Sequence, residues 1–354
     1  MNDNRITTLI FDWGDTILVD DGRFSGKMMY WPEIQTIHGV EETLATLSRD
    51  YQIVLATNAE DSTYEDIKLV LRSVNLENYF SHIFTTKELR VKKPNPHFFI
   101  QIIKKLKLSP ENVAAIGNDY KKDIISAKLA GLRSIWFNPS CFTAEAHIPM
   151  QDMDIRSFSQ LPQLLSETFL PDFQTCYSWY AEQGVTHTLF AHILNVAAIA
   201  YQISLWFDQK GFSIKPLLAH RGGMTHDISK LQDETEKNHA IMAYEFLRDK
   251  GQFELAEIAR THLIGDLLNP NTKPTTWEQK IVNYADKLSE GSKLVSLDER
   301  LAALQKRYPD FAQKIQENTP LIKALENEIV TALDSDPDLL LTQLRKALFL
   351  KNGN

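Results

Sequence analysis

Two groups of side chains in this sequence have the types and spacing of reaction centres. The first is rich in imidazole and carboxylate. Of the 10 histidines, six lie between His187 and His262, a concentration that packing does not require. Inside that stretch stands an adjacent pair in Thr225-His226-Asp227-Ile228-Ser229-Lys230. An imidazole beside a carboxylate offers two metal ligands, and the carboxylate can bridge two ions. His192 lies upstream, His239 and His262 follow, and Asp286 comes last. Mixed imidazole and carboxylate donors suit Fe, Mn, Zn, Ni or Co better than Ca. Such a group supports metal-assisted hydrolysis.

The second group is built on carboxylates. Asp12 follows the apolar run Leu9-Ile10-Phe11 and leads into Trp13-Gly14-Asp15-Thr16. Three further stretches end in polar residues: Val54-Leu55-Ala56 in Thr57-Asn58, the stretch before a helix in Lys93-Pro94, and Val113-Ala114-Ala115-Ile116 in Gly117-Asn118-Asp119, with Asp123 beyond. Open parallel sheets collect ligands beyond the carboxyl ends of their strands. The set supplies carboxylates for Mg²⁺, a hydroxyl and a lysine for a phosphate, and an aspartate as nucleophile. That is the equipment for phosphoryl transfer through an aspartyl intermediate.

The elements that must carry these residues differ between the two parts of the chain. Up to about residue 168, strand-like runs (Ile6–Phe11, Gln52–Ala56, Ile83–Thr85, Val113–Ile116, Ser134–Phe137) alternate with helical patterns (Val40–Ser48, Ser62–Val74, Pro96–Leu106, Asp123–Ala130). Alternation of this kind predicts crossover connections and a parallel sheet, an α/β Rossmannoid domain. Beyond Pro171 helical periodicity dominates, as in Thr188–Phe207, Thr235–Arg248, Phe253–Leu263 and Thr276–Arg307, and no strand is expected. The predicted organisation is therefore a parallel-sheet domain over 1–168, a linker over 169–185 and an all-α domain over 186–354, whose last helices close the bundle or form a homodimer face. The aromatic cluster Tyr177, Trp179 and Tyr180 reads as interdomain packing, and the pairs Lys104-Lys105 and Lys121-Lys122 as solvated helix faces.

Composition bounds the partners. At roughly 150 residues per domain, 354 residues fit about two domains. A hydrophobic share of 43% and a charged share of 24% exclude a disordered or fibrous chain. The net charge of -8 argues against a general nucleic-acid binder, whose affinity comes from Lys and Arg. Cys141 and Cys176 do not make a disulfide framework and fit a reducing compartment. No leader is read at the N-terminus, and no uninterrupted apolar run approaches a membrane span. The expectation is a soluble cytoplasmic protein with no membrane partner.

The four pieces around Asp12, in this order, resemble the haloacid dehalogenase (HAD) superfamily over residues 5–168. The resemblance implies that Asp12 is the nucleophile and a Mg²⁺ ligand. It implies that Thr57, Asn58 and Lys93 hold the phosphoryl group, and that Asp123 with Asn118 or Asp119 completes the metal site. Two positions depart from the family pattern. Gly14 stands where a second aspartate usually acts as general acid and base, a function worth about 10²–10⁴-fold. Asn118 replaces the usual first aspartate of the last motif. The intervals from Thr16 to Thr57 and from Asn58 to Lys93 leave no room for a full cap domain, and Lys27–Pro32 reads as a small flap.

The second group, over about 186–300, resembles the HD superfamily of metal-dependent phosphohydrolases: His, then His-Asp, then a late Asp. The pieces His226-Asp227-Ile228-Ser229-Lys230, His262-Leu263-Ile264-Gly265 and Lys280-Ile281-Val282-Asn283-Tyr284-Ala285-Asp286 look most like bacterial members that split diadenosine tetraphosphate. The resemblance implies that His192, His226, Asp227 and Asp286 bind one transition-metal ion. Asp227, His239 and His262 would bind a second, and Lys230 would contact a phosphate. His187 and His220 fit no ligand position and are read as packing residues.

The reading of function is a phosphohydrolase acting on a small phosphorylated substrate, a nucleotide or dinucleoside polyphosphate, mainly at the HD site. The HAD site would add a Mg²⁺-dependent phosphatase step. Two hydrolases in one chain fit consecutive steps on one substrate. The competing reading, motivated by Gly14, is a nucleotide or metal sensor with one or both sites inactive. A HAD dehalogenase or phosphonatase is poorer, since phosphonatase chemistry needs a cap-borne lysine.

Overall fold

The computed structural model describes residues 5–142, 149–232 and 239–349. The chain parts into two compact units between Phe169 and Leu170.

The first unit is a doubly wound parallel sheet. Its elements in chain order are β1 (Thr8–Phe11), α1 (Val40–Leu47), β2 (Gln52–Thr57), α2 (Tyr64–Ser73), β3 (His82–Thr85), α3 (Thr86–Leu89), α4 (His97–Leu106), β4 (Val113–Gly117), α5 (Ser126–Leu129), β5 (Arg133–Phe137), β6 (Met153–Ile155) and α6 (Leu161–Leu164). The sheet order is β3-β2-β1-β4-β5-β6 with every pairing parallel. The strands are unbroken Val, Ile, Leu, Phe and Ala runs because helices cover both faces, so alternation would leave polar side chains buried. Alternate residues of β1 enter different cores: Leu9 and Phe11 join one, Ile10 the other.

Register places the polar strand ends together. Phe11 pairs with Leu55 on β2 and with Ile116 on β4, and the Asp12 amide donates to the Ile116 carbonyl at 2.9 Å. Asp12, Thr57 and Asn118 therefore share one edge of the sheet. The strand β6 has no counterpart among the runs read from sequence. At three residues with Asp154 exposed between Met153 and Ile155, it is too short to show a period. The expected helix Asp123–Ala130 begins earlier, as a π-helical turn over Tyr120–Ile125 that runs into α5.

The second unit is a helical bundle. Its elements are α7 (Phe173–Glu182), α8 (His187–Gln209), α9 (Pro216–Thr225), α10 (His239–Asp249), α11 (Phe253–Arg260), α12 (Trp277–Lys287), the short pair β7 (Ser289–Glu290) and β8 (Lys293–Leu294), then α13 (Leu297–Arg307), α14 (Ala312–Ala332) and α15 (Pro337–Phe349). The segment 169–185, read as a linker, is thus largely a helix. Asp172 caps α7 by accepting from the Thr175 amide. Cys176, Trp179 and Tyr180 are buried in the core of this unit, which is what made the stretch look like interdomain packing. The expected single helix Thr276–Arg307 is broken by the antiparallel β7–β8 hairpin around Gly291, whose φ of +58° suits glycine. Positions 235–238 of the Thr235–Arg248 pattern lie outside the described residues. The C-terminal helices close the bundle through Leu325, Ile329, Leu340 and Leu344.

Close packing at the centre depends on Gly223. A Cβ there would lie 2.6 Å from the Ala197 Cα on α8, so only glycine lets α9 approach α8 this closely. Among the described residues α8 alone is long and apolar enough to cross a membrane, and 61% of its most apolar window is buried inside the protein. His192, Asn195, Gln202 and Asp208 interrupt its apolar sequence.

Candidate active sites

In the second unit the six expected metal ligands converge. His192 comes from α8, His239 from the start of α10 and Asp286 from α12. His226 and Asp227 lie just past the end of α9 and His262 just past α11, rather than within those helices. Asp227 stands between two imidazole pairs. Its Oδ1 is 3.3 Å from His239 Nε2 and 3.4 Å from His262 Nε2. Its Oδ2 is 3.5 Å from His226 Nε2 and 3.9 Å from His192 Nε2. Asp286 Oδ1 completes the latter side, 3.1 Å from His192 Nε2 and 3.9 Å from His226 Nε2.

The far nitrogens of three rings fix their tautomers. His226 Nδ1 donates to the Gly223 carbonyl at 2.9 Å, and His262 Nδ1 to the Ala259 carbonyl at 2.6 Å. Both carbonyls belong to the last turns of helices and have lost their helical partners. His192 Nδ1 donates to Ser289 Oγ at 3.1 Å. That hydroxyl donates to the Gly291 carbonyl and accepts from Asn195, so its remaining capacity is as an acceptor. Each of the three rings then turns a lone pair on Nε2 toward the carboxylates. His192 Nε2 and His226 Nε2 are buried and hydrogen-bonded to nothing. Orphaned imidazole lone pairs facing carboxylate oxygens repel unless a cation lies among them, so this donor set fits a divalent transition metal, held by oriented imidazoles.

The electrostatics agree. Burial pushes the His226 pKa down to about 3, so the ring is neutral at pH 7. Burial opposes ionisation of Asp227, but the charge of Lys230, with Nζ 2.9 Å from Oδ2, leads the effects that outweigh it and hold the carboxyl well below its ordinary value. Asp286 is likewise held ionised against burial, first by Lys287 at 2.9 Å. A cleft of about 690 Å³ opens onto Asp227, His239, His262 and Asp286. Its walls carry Lys230, Lys287, Arg300, Arg307 and Lys314, with Tyr308 and Phe311.

In the first unit, Lys93 is the centre of the cluster. It is 2% exposed, with Nζ 2.5 Å from Asp12 Oδ1 and 2.6 Å from Asp123 Oδ1. Burial opposes its charge, but Asp12 and Asp123 outweigh that and raise its pKa. Burial and then the charge of Asp12 push the Asp123 pKa up, with Lys93 pulling the other way. Gly117 makes room for it: a Cβ there would lie 2.4 Å from Asp123 Oδ2. Thr16 Oγ1 donates to Asn118 Oδ1 at 3.1 Å and sits 3.5 Å from Asp12 Oδ2. Two mutually repelling carboxylates beside an amide oxygen are hard donors of the kind Mg²⁺ takes, and a dication there would relieve the strain on Asp123.

Two expected site residues are engaged elsewhere. Asn58 braces the Lys93 backbone with both ends of its amide, accepting from Lys93 N at 2.9 Å and donating to Lys93 O at 2.8 Å. It positions the lysine. The Asp119 carboxylate accepts from the amides of Lys121 and Lys122 and pairs with Lys122 Nζ at 2.8 Å. It caps the π-helical turn and does not join Asp12. Thr57 is buried at the end of β2, and its Oγ1 accepts from the Ala59 amide at 3.1 Å. Sequence reasoning passed over Thr16, Asn195, Ser289, Lys287 and Arg300. Lys287 and Thr16 had a signal in their nearness to Asp286 and Asp12. Ser289 had none, since the hairpin that presents it was not foreseen.

Comparison with known proteins places both units. A family model described as haloacid dehalogenase-like hydrolase matches residues 23–137, and the HD domain model matches residues 189–291. The second match spans all six residues of the Asp227 cluster. An uncharacterized protein of Methanocaldococcus jannaschii is 30% identical over 145 residues, 38% of this chain and 81% of that protein. The glyceraldehyde 3-phosphate phosphatase of Pyrococcus furiosus is 26% identical over 37% of this chain and 54% of its own length. A pyrimidine 5'-nucleotidase of Streptococcus pneumoniae is 29% identical over 38% of this chain and 56% of its own length. The chain thus spans little more than half the length of these last two relatives. Taken with the Asp12–Lys93–Asp123 cluster and the imidazole pairs flanking Asp227, these matches make the chain a fusion of a haloacid dehalogenase-like hydrolase domain with an HD domain, the latter of the metal-dependent phosphohydrolase superfamily.

Proposed function

We propose that the chain hydrolyses small phosphorylated metabolites at two separate centres, with the Asp227 cluster cleaving a phosphoester or phosphoanhydride of a nucleotide and the Asp12 cluster acting as a phosphatase. The observation that carries the reading is Asp227, whose two oxygens face two imidazole pairs at the floor of a cleft with five cationic side chains. Such walls match the charge of a phosphate chain, and Tyr308 and Phe311 offer faces for a base, which favours a nucleotide and leaves a dinucleoside polyphosphate as the larger candidate. Lys230 neutralises phosphate charge next to Asp227. Cations at this cluster would polarise the phosphate and supply a hydroxide nucleophile near neutral pH. His192, His226, Asp227 and Asp286 would hold one ion, and Asp227, His239 and His262 the other.

In the first unit Asp12 is the nucleophile toward phosphorus, and Lys93 and Thr57 receive the phosphoryl oxygens. Asp123 and Asn118 would hold Mg²⁺ with Asp12. Relatives named for glyceraldehyde 3-phosphate and pyrimidine nucleotides support a small monophosphate here. The test is phosphate release from a nucleotide and sugar-phosphate panel with Mg²⁺, Mn²⁺ or Fe²⁺, comparing wild type, Asp12→Asn and Asp227→Ala. Each variant is expected to lose a different set of substrates. If neither differs from wild type, the hydrolase reading fails and a sensor replaces it. A product of one centre that is no substrate for the other would exclude consecutive steps.

A further inference from the structure

An Asp12 carboxylate that attacks a phosphate ester expels an alkoxide, which needs a proton. Among the titratable groups around Asp12, few can give one. The Lys93 ammonium is clamped between two carboxylates, Asp123 is buried against that lysine, and Asp119 is bound into its cap. The turn after Asp12 brings in one more carboxyl. Asp15 takes the left-handed conformation at φ 52°, and its amide donates to the Leu18 carbonyl at 2.7 Å. The chain doubles back so that the Asp20 amide donates to Asp15 Oδ1 at 2.9 Å. Asp20 thereby lies over Gly14: a Cβ placed on Gly14 would stand 3.4 Å from both Asp20 Cβ and Asp20 Oδ2. The space beside Gly14 is filled by a carboxyl delivered from six positions further along the chain.

We infer that Asp20 is the general acid and base of the Asp12 centre, acting from the space that Gly14 leaves open. The inference rests on the reading of Asp12 as a phosphoryl acceptor. In the first step an Asp12 oxygen bonds to phosphorus, the bond from phosphorus to the leaving oxygen breaks, and that oxygen takes the proton of the Asp20 carboxyl. In the second step water attacks the aspartyl phosphate and gives its proton to the Asp20 carboxylate. The bond to Asp12 breaks, inorganic phosphate departs, and both aspartates return to their starting states. Partial burial, then the charges of Asp15 and Asp12, raise the Asp20 pKa, which favours the protonated form that the first step needs.

The test exploits the leaving group. Rates of the full chain with Mg²⁺ are measured on glycerol 3-phosphate, whose alkoxide needs a proton, and on p-nitrophenyl phosphate, whose phenolate does not. The Asp12-dependent part is the rate removed by Asp12→Asn. Asp20→Asn is expected to lower first-turnover release of the leaving group about 10²–10⁴-fold on the alkyl ester, to leave first-turnover release of p-nitrophenolate within about fivefold, and to slow later turnovers of both esters, which share the water-activating step. The retained first-turnover aryl release also shows that the variant is folded. Equal first-turnover losses on both esters, or no first-turnover loss on either, would overturn the assignment. Absence of any Asp12-dependent release from either ester in wild type would instead defeat the phosphoryl-acceptor reading, and the role of Asp20 with it.

Discussion

His239 Nε2 and His262 Nε2 lie 3.1 Å apart, and both lie within 3.4 Å of the same oxygen of Asp227. The His262 proton sits on Nδ1, engaged with the Ala259 carbonyl. In the proposed two-ion reading this pair forms one half of the site, with Asp227 shared by the other half. Its loss should be separable. His262→Ala is expected to bind about one Mn²⁺ ion fewer per chain than wild type while the His192 side stays loaded. Metal content by mass spectrometry after reconstitution checks this, and equal content in both proteins would show that the two sides are not distinct sites.

Ser289 orients His192 without touching a metal position. Ser289→Ala removes the acceptor for His192 Nδ1 and leaves the Asn195 amide and the Gly291 carbonyl short of a partner. Metal affinity is expected to fall about 10–100-fold, with the protein still folded. Titration with a competing chelator measures it. An unchanged affinity would mean that His192 is oriented by packing alone.

Lys93 holds two carboxylates that would otherwise face each other. Lys93→Met in metal-free protein is expected to cost about 3–5 kcal/mol, the usual result of removing one partner from a buried charge cluster. Urea denaturation of the first unit's transition reads the loss. Mg²⁺ is expected to recover part of it in the variant, because a cation can replace the ammonium between Asp12 and Asp123. A variant as stable as wild type would show that Asp123 simply takes up a proton.

The two cysteines should behave oppositely toward thiol reagents. Cys141 is exposed and Cys176 is buried. Burial pushes the Cys176 thiol up to about 12, so in the native state it stays protonated where an unfolded cysteine would ionise. The stabilisation this represents is complete at neutral pH, below the ordinary thiol pKa, and is lost as pH rises from about 9 toward 12. At pH 8 one thiol is expected to react in the native protein and the second only after denaturation. The alkaline loss of stability is expected to be shallower in Cys176→Val. Rapid reaction of both thiols at pH 8 would contradict the packing of α7 into the bundle.

Gly223 sets the spacing between α8, which bears His192, and α9, which His226 directly follows. A Cβ in Gly223→Ala would meet Ala197 backbone atoms at 2.6 and 2.8 Å, and backbone cannot rotate away. A cost of about 1–3 kcal/mol is expected, with metal content falling as α8 and α9 separate. Gly22→Ala, with nothing within 4 Å, is the control and is expected to change neither. Thermal unfolding together with metal analysis decides it.

The two architectures and most members of the two candidate sites are legible in the sequence alone. Unbroken apolar runs such as Val113–Ile116 specify a sheet buried on both faces, and the long helical periods after Pro171 specify a bundle. Residue type fixed the chemistry as well: a His-Asp pair among scattered histidines has few uses besides a metal. Tertiary structure decided what each polar side chain faces. Asp119 and Asn58 have the right types for the Asp12 centre, yet local hydrogen bonds claim them, Asp119 for a helix cap and Asn58 for the Lys93 backbone. Ser289 and Asp20 lie at no spacing that periodicity reveals, because each is delivered by a turn: Ser289 just ahead of Gly291, and Asp20 behind the left-handed Asp15. Turns are set by a few dihedral angles and a few hydrogen bonds rather than by a repeated pattern. The residues that orient His192 and overlie Gly14 therefore emerge only once the chain has folded back on itself.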